Sequence, residues 1–372
     1  SGAIHTTSLN RRLARGSEYL RTGALCLTLE KLEMKKTLVA IAALAAFGAA
    51  SAQSSVTLYG RIDASIGSVK TTAGGVTIAD PGVQIRSGGH TGSRWGLKGS
   101  EDLGGGLKAN FTLEQGFNID SGTFADATRQ FSRQAFVGLS GGFGSLNIGR
   151  QYDIVDNMYG NYDAFGSSGY TPNQALSGLG NVGDTIVRQD NSVIYTTPSM
   201  GGLSAAAMWA PGENKVPGVT SAGKHVGLMV NYANGPLGLG AGWQSNKATG
   251  ATAATTHYIL GASYDMGVAK LYGQYDAGKV KSIAGNPKDS GFSLGAVVPV
   301  GAARLIAGYA KEDNKTAGTK TQKNTSWGLM GQYDLSKRTY VYAAYNRTEA
   351  DPTGPANTVK TTRYGLGLVH NF

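Results

Sequence analysis

Apolar and polar side chains alternate along most of the chain after residue 54. In the stretch 55–66, the even-numbered residues from Val56 to Ile66 are apolar or small, whereas most odd-numbered residues, including Arg61 and Asp63, are polar. Successive side chains of a β-strand point to opposite faces of its sheet. This period of two therefore predicts a strand with one apolar and one polar face.

The same pattern recurs along the chain and predicts sixteen strands. An even number of amphipathic strands suits a closed antiparallel barrel, in which the last strand pairs with the first. The predicted bounds are 55–66, 93–100, 107–114, 132–140, 143–150, 188–197, 203–210, 224–233, 236–245, 256–265, 268–277, 290–298, 302–311, 324–333, 338–347 and 362–372.

The connections between these strands are alternately short and long. Tight turns are predicted at Asn234-Gly235, at 265–267, at 299–301 and at 334–337, and Asn-Gly is a strong hairpin signal. The connections between them are longer and rich in Lys, Thr, Gly and Pro. Transmembrane barrels have this asymmetry, with short periplasmic turns and longer external loops.

One connection, residues 150–187, is much longer than the others. It is rich in Gly, Asn, Asp, Ser and Tyr, and it shows no sustained helical or strand period. A loop of this length inside a compact chain is usually functional or disordered. We predict that it folds into the barrel and narrows a pore.

The first 52 residues differ from the rest. Met34-Lys35-Lys36 precedes an apolar run, 38–50, and then Ala50-Ser51-Ala52, which together are typical of a secretory signal peptide. We therefore assign 34–52 to a signal peptide and 53–372 to the barrel. The arginine-rich segment 1–33 is interpreted as an upstream extension from a mis-called start site. The alternative for 34–52 is a buried helix of a soluble protein.

Composition narrows the fold class further. Residues 53–372 keep 27 of the 34 basic and 21 of the 24 acidic residues, a net charge of +6. The single cysteine, Cys26, precedes them, so no disulfide is expected. They also contain no apolar run of about 20 residues, the length that a membrane-spanning helix needs. A soluble sandwich would need a large apolar core, whereas one face of these strands is polar, and an all-β transmembrane barrel is therefore predicted.

Aromatic residues support the barrel. Many of them are predicted near strand ends, where transmembrane barrels carry aromatic girdles at the two membrane interfaces. The alternative is ordinary cross-strand packing. The residues are Tyr258, Tyr264, Tyr275, Tyr309, Trp327, Tyr333, Tyr340, Tyr345 and Tyr364.

An enzyme is the least favoured class. His90, His225, His257 and His370 are scattered and belong to no recognisable catalytic motif. The glycines at 104–106 form a predicted turn with no following helix, so they are not a phosphate loop. No metal or other cofactor is expected. An outer-membrane hydrolase, a substrate-specific channel and a surface adhesin on the same barrel remain as alternatives to a general diffusion channel.

Six stretches resemble the general porins of Gram-negative outer membranes, in particular the beta-proteobacterial type. They are distributed from residue 56 to residue 372, so the resemblance extends over the whole predicted barrel. They are Val56-Thr-Leu-Tyr-Gly-Arg-Ile-Asp63, Ser93-Arg-Trp-Gly-Leu-Lys-Gly-Ser-Glu-Asp-Leu-Gly104, Arg133-Gln-Ala-Phe-Val-Gly-Leu-Ser140, Phe143-Gly-Ser-Leu-Asn-Ile-Gly-Arg150, Leu335-Ser-Lys-Arg-Thr339 and Val369-His-Asn-Phe372.

The resemblance implies a homotrimer of sixteen-stranded barrels, each with its third external loop folded inward as a constriction. Basic residues on the wall would face acidic residues on that loop. The matching basic positions are Arg61, Arg94, Arg133 and Arg188, with Lys98 and Arg150 as weaker candidates. Alternation independently predicts that Arg61 and Arg94 point inward.

The acidic side of the constriction is less determined. The loop offers Asp153, Asp156, Asp163 and Asp184, of which we select Asp156 and Asp163. For each, the alternative is a turn-capping aspartate that binds its own backbone.

These features predict a passive diffusion channel for small hydrophilic solutes and ions. Rings of arginine or lysine favour anions, and a narrow low-dielectric pore focuses their field, so anion preference is expected. The resemblance also implies contact with outer-membrane lipid and lipopolysaccharide. Phe372 ends an alternating strand and resembles the signal that the barrel-assembly machinery reads.

Overall fold

The computed structural model describes residues 55–177, 187–212, 223–247, 253–280 and 285–372. The predicted extension 1–33 and signal peptide 34–52 lie outside the described residues, as does Asp184. In the described part of the chain, no helix is long and apolar enough to cross a membrane.

Alternating sequence segments form eighteen strands in the described residues. They are β1 (Ser55–Ala73), β2 (Val76–Ala79), β3 (Gln84–Ser87), β4 (Arg94–Gly104), β5 (Leu107–Gly116), β6 (Gln134–Gly141), β7 (Gly144–Tyr152), β8 (Arg188–Thr196), β9 (Leu203–Pro211), β10 (Lys224–Asn234), β11 (Leu237–Asn246), β12 (Thr255–Asp265), β13 (Lys270–Val280), β14 (Lys288–Val300), β15 (Ala303–Thr316), β16 (Thr319–Asp334), β17 (Thr339–Pro352) and β18 (Val359–Asn371).

Sixteen of the described strands, β1 and β4–β18, form one closed antiparallel sheet. Each pairs with its neighbours in the chain, and β1 closes the barrel on β18 with a register that runs from Arg61 opposite Asn371 to Ala73 opposite Val359. The predicted sixteen-stranded barrel is confirmed. Closure leaves no unpaired sheet edge, which hydrocarbon would not tolerate.

The two remaining strands belong to the first long loop. β2 and β3 both pair with the outer half of β1, which is 19 residues long. This region was predicted to be a loop, because its strands are only four residues long and lack a clear alternation. Several other strands also extend beyond their predicted outer ends, for example β15 to Thr316 and β17 to Pro352.

The barrel wall has its apolar side chains outside. Val56 is 65% exposed, and Leu58 and Ile66 are similarly exposed, whereas Asp63 on the opposite face of β1 is fully buried. Neighbouring strands carry paired aromatic residues on the same outer face, such as Trp327 and Tyr345 with ring centroids 4.9 Å apart. In a soluble protein the apolar side chains would be buried and the polar ones exposed. The reverse arrangement here fits a barrel wall that contacts lipid on its outside and encloses a polar lumen.

The third loop, residues 153–187, lies against the inner wall where the structure describes it, at 153–177. Its described part contains helix α1 (Ile154–Asn161) and the short helix α2 (Gln174–Ser177). The sequence shows no sustained helical period here, because α1 has only eight residues, too few to establish one. Asp153 caps α1, since its side chain accepts a hydrogen bond of 2.7 Å from the backbone N–H of Asp156.

A groove of inward-facing glycines receives the third loop. Ile154 packs on Gly227, Tyr162 on Gly240 and Gly261, and Phe165 on Gly308. A Cβ atom at Gly261 would lie 2.2 Å from Cδ2 of Tyr162, so no larger residue fits without moving the loop. The apolar side chains of the loop are therefore buried against the wall, and polar side chains such as Asp156 and Asn157 face the lumen.

Candidate functional site: the pore constriction

The third loop and the opposite wall enclose a polar cavity of about 560 Å³ inside the barrel. All four arginines predicted from the resemblance line it, together with Asp156 of the third loop. Its third side is formed by residues 88–92 of the first loop. The lining residues are Arg61, Gly88, His90, Thr91, Gly92, Arg94, Arg133, Tyr152, Asp156, Asn157, Gly160, Asn161, Gly166, Ser167, Gly169, Val187 and Arg188.

Sheet register aligns the arginines along one wall. Arg61 on β1 is the direct register partner of Arg94, the first residue of β4. Arg133 lies one residue before β6, and its backbone N–H bonds to the carbonyl oxygen of Glu114 at 3.1 Å. Arg188 opens β8 opposite Tyr152, the last residue of β7. Their side chains are between buried and half-buried, so the field of their charges acts on the narrow lumen.

Glu114 on β5 holds two of these arginines. Its Oε1 lies 2.7 Å from Nε of Arg133, and its Oε2 lies 4.0 Å from Nε of Arg94. The hydroxyl of Tyr59 donates a further hydrogen bond of 3.1 Å to Oε2. This carboxylate is buried, so it stabilises close guanidinium groups that would otherwise repel each other.

Tyr152 links Arg133 to Arg188. Its hydroxyl oxygen accepts a hydrogen bond of 2.5 Å from Nη2 of Arg133 and one of 2.6 Å from Nη2 of Arg188. The guanidinium of Arg188 also lies over the Tyr152 ring, 4.2 Å from its centroid. Arginine suits this position because its planar group can stack and donate hydrogen bonds at the same time.

Asp156 supplies the carboxylate on the loop side. It lies in the first turn of α1, and its carboxyl group shares the cavity with the wall arginines. Burial raises the pKa of Asp156 to about 6, although the positive charges of Arg188 and Arg133 oppose the rise. The charge of this group therefore changes within a pH range that the cell surface can encounter.

Asp163 is placed differently. Its Oδ1 accepts a hydrogen bond of 3.0 Å from the backbone N–H of Phe165, and its Oδ2 accepts one of 2.8 Å from that of Ser167. Ser167 has a positive φ of 58°, which these bonds stabilise. Asp163 is buried and does not line the cavity, so it has the turn-capping arrangement considered as its alternative.

The weaker basic candidates also lie apart from the cavity. Lys98 is on β4, further toward the short-turn end than Arg94, and its Nζ lies 5.2 Å from the centroid of the Tyr59 ring. Arg150 bonds to the carbonyl oxygen of Ser132 at 2.7 Å and to Oδ1 of Asp190 at 2.5 Å. Neither residue lines the constriction.

Phe372 lies where the barrel closes. Its backbone N–H donates to the carbonyl oxygen of Gly60 at 3.1 Å, and the N–H of Gly60 donates back to its carbonyl oxygen at 2.9 Å. The ring covers Gly60, where an added Cβ would lie 2.3 Å from Cζ of Phe372. The terminal residue thus extends the β1–β18 seam.

Glu114, Tyr152 and Thr91 belong to the site although no sequence pattern above predicted them there. The alternation of β5 could have identified Glu114, since Lys108, Asn110 and Thr112 lie on the same inward face. Nothing in the local pattern indicated Tyr152 or Thr91, because both lie where a strand ends or a loop begins and alternation stops.

Comparison with known proteins agrees with this architecture. A family model described as Gram-negative porin matches residues 38–353. The chain is 38% identical to outer membrane porin protein 32 of Delftia acidovorans over 318 residues, which cover 83% of this chain and 88% of that protein. It is 36% identical to an outer membrane porin protein of Bordetella pertussis, over 91% of this chain and all of the relative.

Solved structures show the same fold. An anion-selective porin from Comamonas acidovorans superposes with a TM-score of 0.75 at 32% identity, over 86% of this chain and 100% of that chain. OmpT, an outer membrane protein of Vibrio cholerae in its trimer form, superposes with a TM-score of 0.62 at 19% identity, over 86% of this chain and 99% of that chain. The closed barrel, its inserted loop and these relatives together show that the chain belongs to the Gram-negative porins and is a passive channel of the outer membrane.

Proposed function

We propose that this channel prefers anions, and that the constriction of Arg61, Arg94, Arg133, Arg188, Glu114 and Asp156 sets the preference. Four guanidinium groups meet two carboxylates, which leaves an excess of two positive charges at neutral pH. This excess is the observation that carries the proposal. Fixed positive charges in a narrow pore raise the local concentration of anions and exclude cations.

The arrangement of the charges adds a second filter. The arginines lie on one wall and Asp156 on the opposite loop, so the field crosses the pore. Such a field orients water and penalises solutes that cannot replace its interactions. Small hydrophilic solutes therefore pass, whereas apolar solutes of the same size are retarded. The related porin from Comamonas acidovorans, 32% identical, is described as anion-selective, which supports the same sign of preference here.

Reversal potentials across a planar bilayer in a KCl gradient test the preference. The wild-type channel should show a potential of the sign that chloride permeation gives, and Arg94→Ala should reduce it. Lys337→Ala, in the exposed turn between β16 and β17, removes the same charge far from the cavity and should leave the potential unchanged. Cation preference of the wild type would refute the proposal, and equal effects of both variants would refute the role of Arg94.

A substrate-specific channel or an adhesin on the same barrel is the alternative. Liposome swelling with sugars of graded size separates these functions. A rate that depends on solute size alone supports general diffusion, whereas saturable uptake of one solute supports a specific channel. If liposomes that contain the protein swelled no faster than liposomes without it, adhesion would be the function. We assign no enzymatic activity to the chain.

Lipid phosphates are the proposed neighbours of the outer rim. Lys279 is the register partner of Lys288, and Lys288 is the register partner of Lys315, so three like charges face each other on adjacent strands. Directly opposed like charges are unfavourable unless an anion lies between them. The amine of Lys279 also lies 5.7 Å from the ring centroid of Tyr258 in the outer aromatic girdle.

The three lysines correspond to the headgroup level of the outer leaflet, where lipopolysaccharide carries phosphate. Native mass spectrometry with a phosphorylated and a dephosphorylated glycolipid tests the contact. Lys288→Gln with Lys315→Gln should weaken binding of the phosphorylated lipid, and Lys337→Gln with Arg338→Gln at the short-turn end is the matched control. Equal binding of both lipids by the wild type would refute the contact.

The assembly state and the targeting of the chain complete the proposal. The porin resemblance supports a homotrimer, which chemical cross-linking in native membranes would detect as a ladder of three bands. Phe372 would present the last strand to the barrel-assembly machinery. Cleavage of the 34–52 signal peptide before Gln53 would be visible by N-terminal sequencing of the outer-membrane protein, and a longer N-terminus would refute it.

A further inference from the structure

The first loop also enters the lumen. After β3 ends at Ser87, residues 88–92 leave the sheet and line the same cavity as the wall arginines and the third loop. We call residues 88–92 the first-loop segment. Neither the strand alternation nor the porin resemblance predicted that this loop would reach the constriction.

A buried carboxylate anchors this segment to the wall. Oδ2 of Asp63 accepts hydrogen bonds of 2.7 Å from the backbone N–H of His90 and 2.6 Å from that of Thr91. Oδ1 accepts a third bond of 2.9 Å from the hydroxyl of Tyr342 on β17. Asp63 thereby ties the first-loop segment to β1 and β17 with charge-assisted bonds, which are stronger than neutral ones.

The side chain of His90 provides a second attachment. Its Nδ1 lies 2.8 Å from the hydroxyl of Tyr340, and its Nε2 lies 3.2 Å from the amide nitrogen of Gln332. Burial, with the charges of Arg61 and Arg304, lowers the pKa of His90 to about 4. The imidazole is therefore neutral at physiological pH and fills its site without adding charge to the pore.

The third loop contacts this segment at Gly169, which we call the tip of the loop. A Cβ atom at Gly169 would lie 2.6 Å from the carbonyl oxygen of Gly89, so the two backbones are in direct contact. A Cβ at Gly89 would in turn lie 2.4 Å from the hydroxyl oxygen of Tyr342. From the wall toward the lumen, Tyr342 contacts Gly89, and Gly89 contacts Gly169. Both contacts are so close that only glycine fits at positions 89 and 169.

The opposite side of the segment touches the arginine wall. The hydroxyl oxygen of Thr91 lies 3.5 Å from Nη1 of Arg61 and 3.5 Å from Nη2 of Arg94. One short piece of chain therefore contacts both the loop that narrows the pore and two of the charges that face it.

We propose that the first-loop segment is a second constriction element, which seats the tip of the third loop on Gly89 and positions Arg61 and Arg94 through Thr91. Asp63 and Gly169 are positioning residues in this arrangement, and they do not touch the permeating ion themselves. The proposal deepens the proposed anion channel and rests on it only for the effect of Thr91 on selectivity.

Gly169→Ala tests the seat, with Gly160→Ala as a matched control. Both glycines lie in the third loop and line the cavity, but a Cβ at Gly160 would have only Oγ of Ser167 near it, at 3.8 Å. Gly169→Ala should push the tip away from Gly89 toward the lumen and lower the single-channel conductance roughly 1.5-fold or more, since close-packed backbone cannot absorb a methyl group. Gly160→Ala adds a methyl group to the same cavity without pressing on other backbone, so it should lower the conductance less than Gly169→Ala. Equal conductance of the two variants would contradict the proposed role of the contact between Gly169 and Gly89.

Two further variants separate the roles of the segment. Thr91→Val removes the oxygen near Arg61 and Arg94 but leaves the contact of Gly89, so it should shift the reversal potential with little change of conductance. Asp63→Asn removes the negative charge and one of the two acceptor oxygens, which weakens the bonds to His90 and Thr91, so open-channel current noise should increase. Heat-modified gel mobility identifies folded barrels before each recording, and folded Asp63→Asn channels with wild-type noise would refute the anchor.

These outcomes also distinguish the seat from the proposed function. If the wild-type channel showed no anion preference while Gly169→Ala still lowered its conductance, the seat would stand and the selectivity proposal would fail. If selectivity were as proposed and Gly169→Ala matched Gly160→Ala, only the seat would fail.

Discussion

Oε1 of Glu114 lies 2.7 Å from Nε of Arg133, so one arginine of the constriction wall carries its own buried counterion. The second carboxylate oxygen lies 4.0 Å from Nε of Arg94. Glu114 therefore has two effects that oppose each other. It fixes the direction of two guanidinium groups, and it cancels part of the positive field that those groups create in the lumen.

Glu114→Gln should increase the anion preference. The substitution keeps the length of the side chain and an acceptor oxygen, but it removes one negative charge. At roughly 6 Å from the ion path, one charge contributes about 0.7 kcal/mol in water. Its removal favours chloride and disfavours potassium by about that amount each, so the chloride-to-potassium permeability ratio should rise about tenfold. Reversal potentials in a KCl gradient measure this ratio.

Glu101→Gln is the control for that variant, because Glu101 is exposed near the short-turn end of β4. It removes the same charge without touching the arginine wall, and its permeability ratio should equal that of the wild type. A lower ratio for Glu114→Gln would mean that the orientation of Arg94 and Arg133 matters more than the charge of the carboxylate.

Anion preference should depend on pH through Asp156. Burial raises the pKa of this carboxyl group to about 6, so it is ionised at pH 7.5 and becomes neutral as the pH falls below that value. Neutralisation increases the excess of positive charges at the constriction from two to three. The chloride-to-potassium ratio should therefore rise between pH 7.5 and pH 5.

Asp156→Asn identifies the group responsible for this pH dependence. The variant should have the high permeability ratio at both pH values, and its titration between pH 7.5 and pH 5 should be flat. A titration that persists in Asp156→Asn would assign the effect to another carboxyl group. Increased salt should reduce the difference between the two pH values, because counterions screen exposed charges.

Asp163 should affect the order of the third loop and leave the ion preference unchanged. Asp163→Ala removes the acceptors for the backbone N–H groups of Phe165 and Ser167, at a cost of about 1–3 kcal/mol for the buried N–H of Phe165. We expect faster proteolytic cleavage near residues 163–171 and increased current noise. Asp156→Ala should show the reverse pattern, with an altered permeability ratio and wild-type cleavage, and identical behaviour of the two variants would contradict this assignment.

The sequence predicted the barrel and much of its basic wall for a clear physical reason. Alternation records which side of a strand each residue occupies, so Arg61 and Arg94 could be assigned to the lumen before the structure was known. Arg133 and Arg188 lie at strand ends, where alternation is ambiguous, and their placement came from the porin resemblance. The structure brings all four to one cavity.

The loops were less predictable because their structure depends on distant residues. Asp156 and Asp163 are seven positions apart in the same loop, and no local pattern shows that one faces the lumen and the other binds its own backbone. The groove for the third loop consists of glycines on different strands, such as Gly227, Gly261 and Gly308. The sequence shows these glycines, but only the closed barrel shows that they line the inner face beneath one loop.

Loss of Phe372 should impair assembly and leave the assembled pore unchanged. The residue adds two backbone hydrogen bonds to the β1–β18 seam, and its ring covers Gly60, which has no side chain of its own to shield the seam. Phe372 does not itself line the cavity, and its deletion keeps Asn371, whose Oδ1 accepts a hydrogen bond of 2.6 Å from Nε of Arg61. Deletion of Phe372 should therefore lower the yield of heat-modifiable barrels several-fold, whereas Phe372→Tyr, which keeps an aromatic ring over Gly60, should assemble at nearly the wild-type yield.

Single-channel conductance and reversal potential of the barrels that do form should match the wild type. A normal yield for the deletion would show that the seam closes without its terminal residue, and an altered conductance would show that the seam and the constriction are coupled.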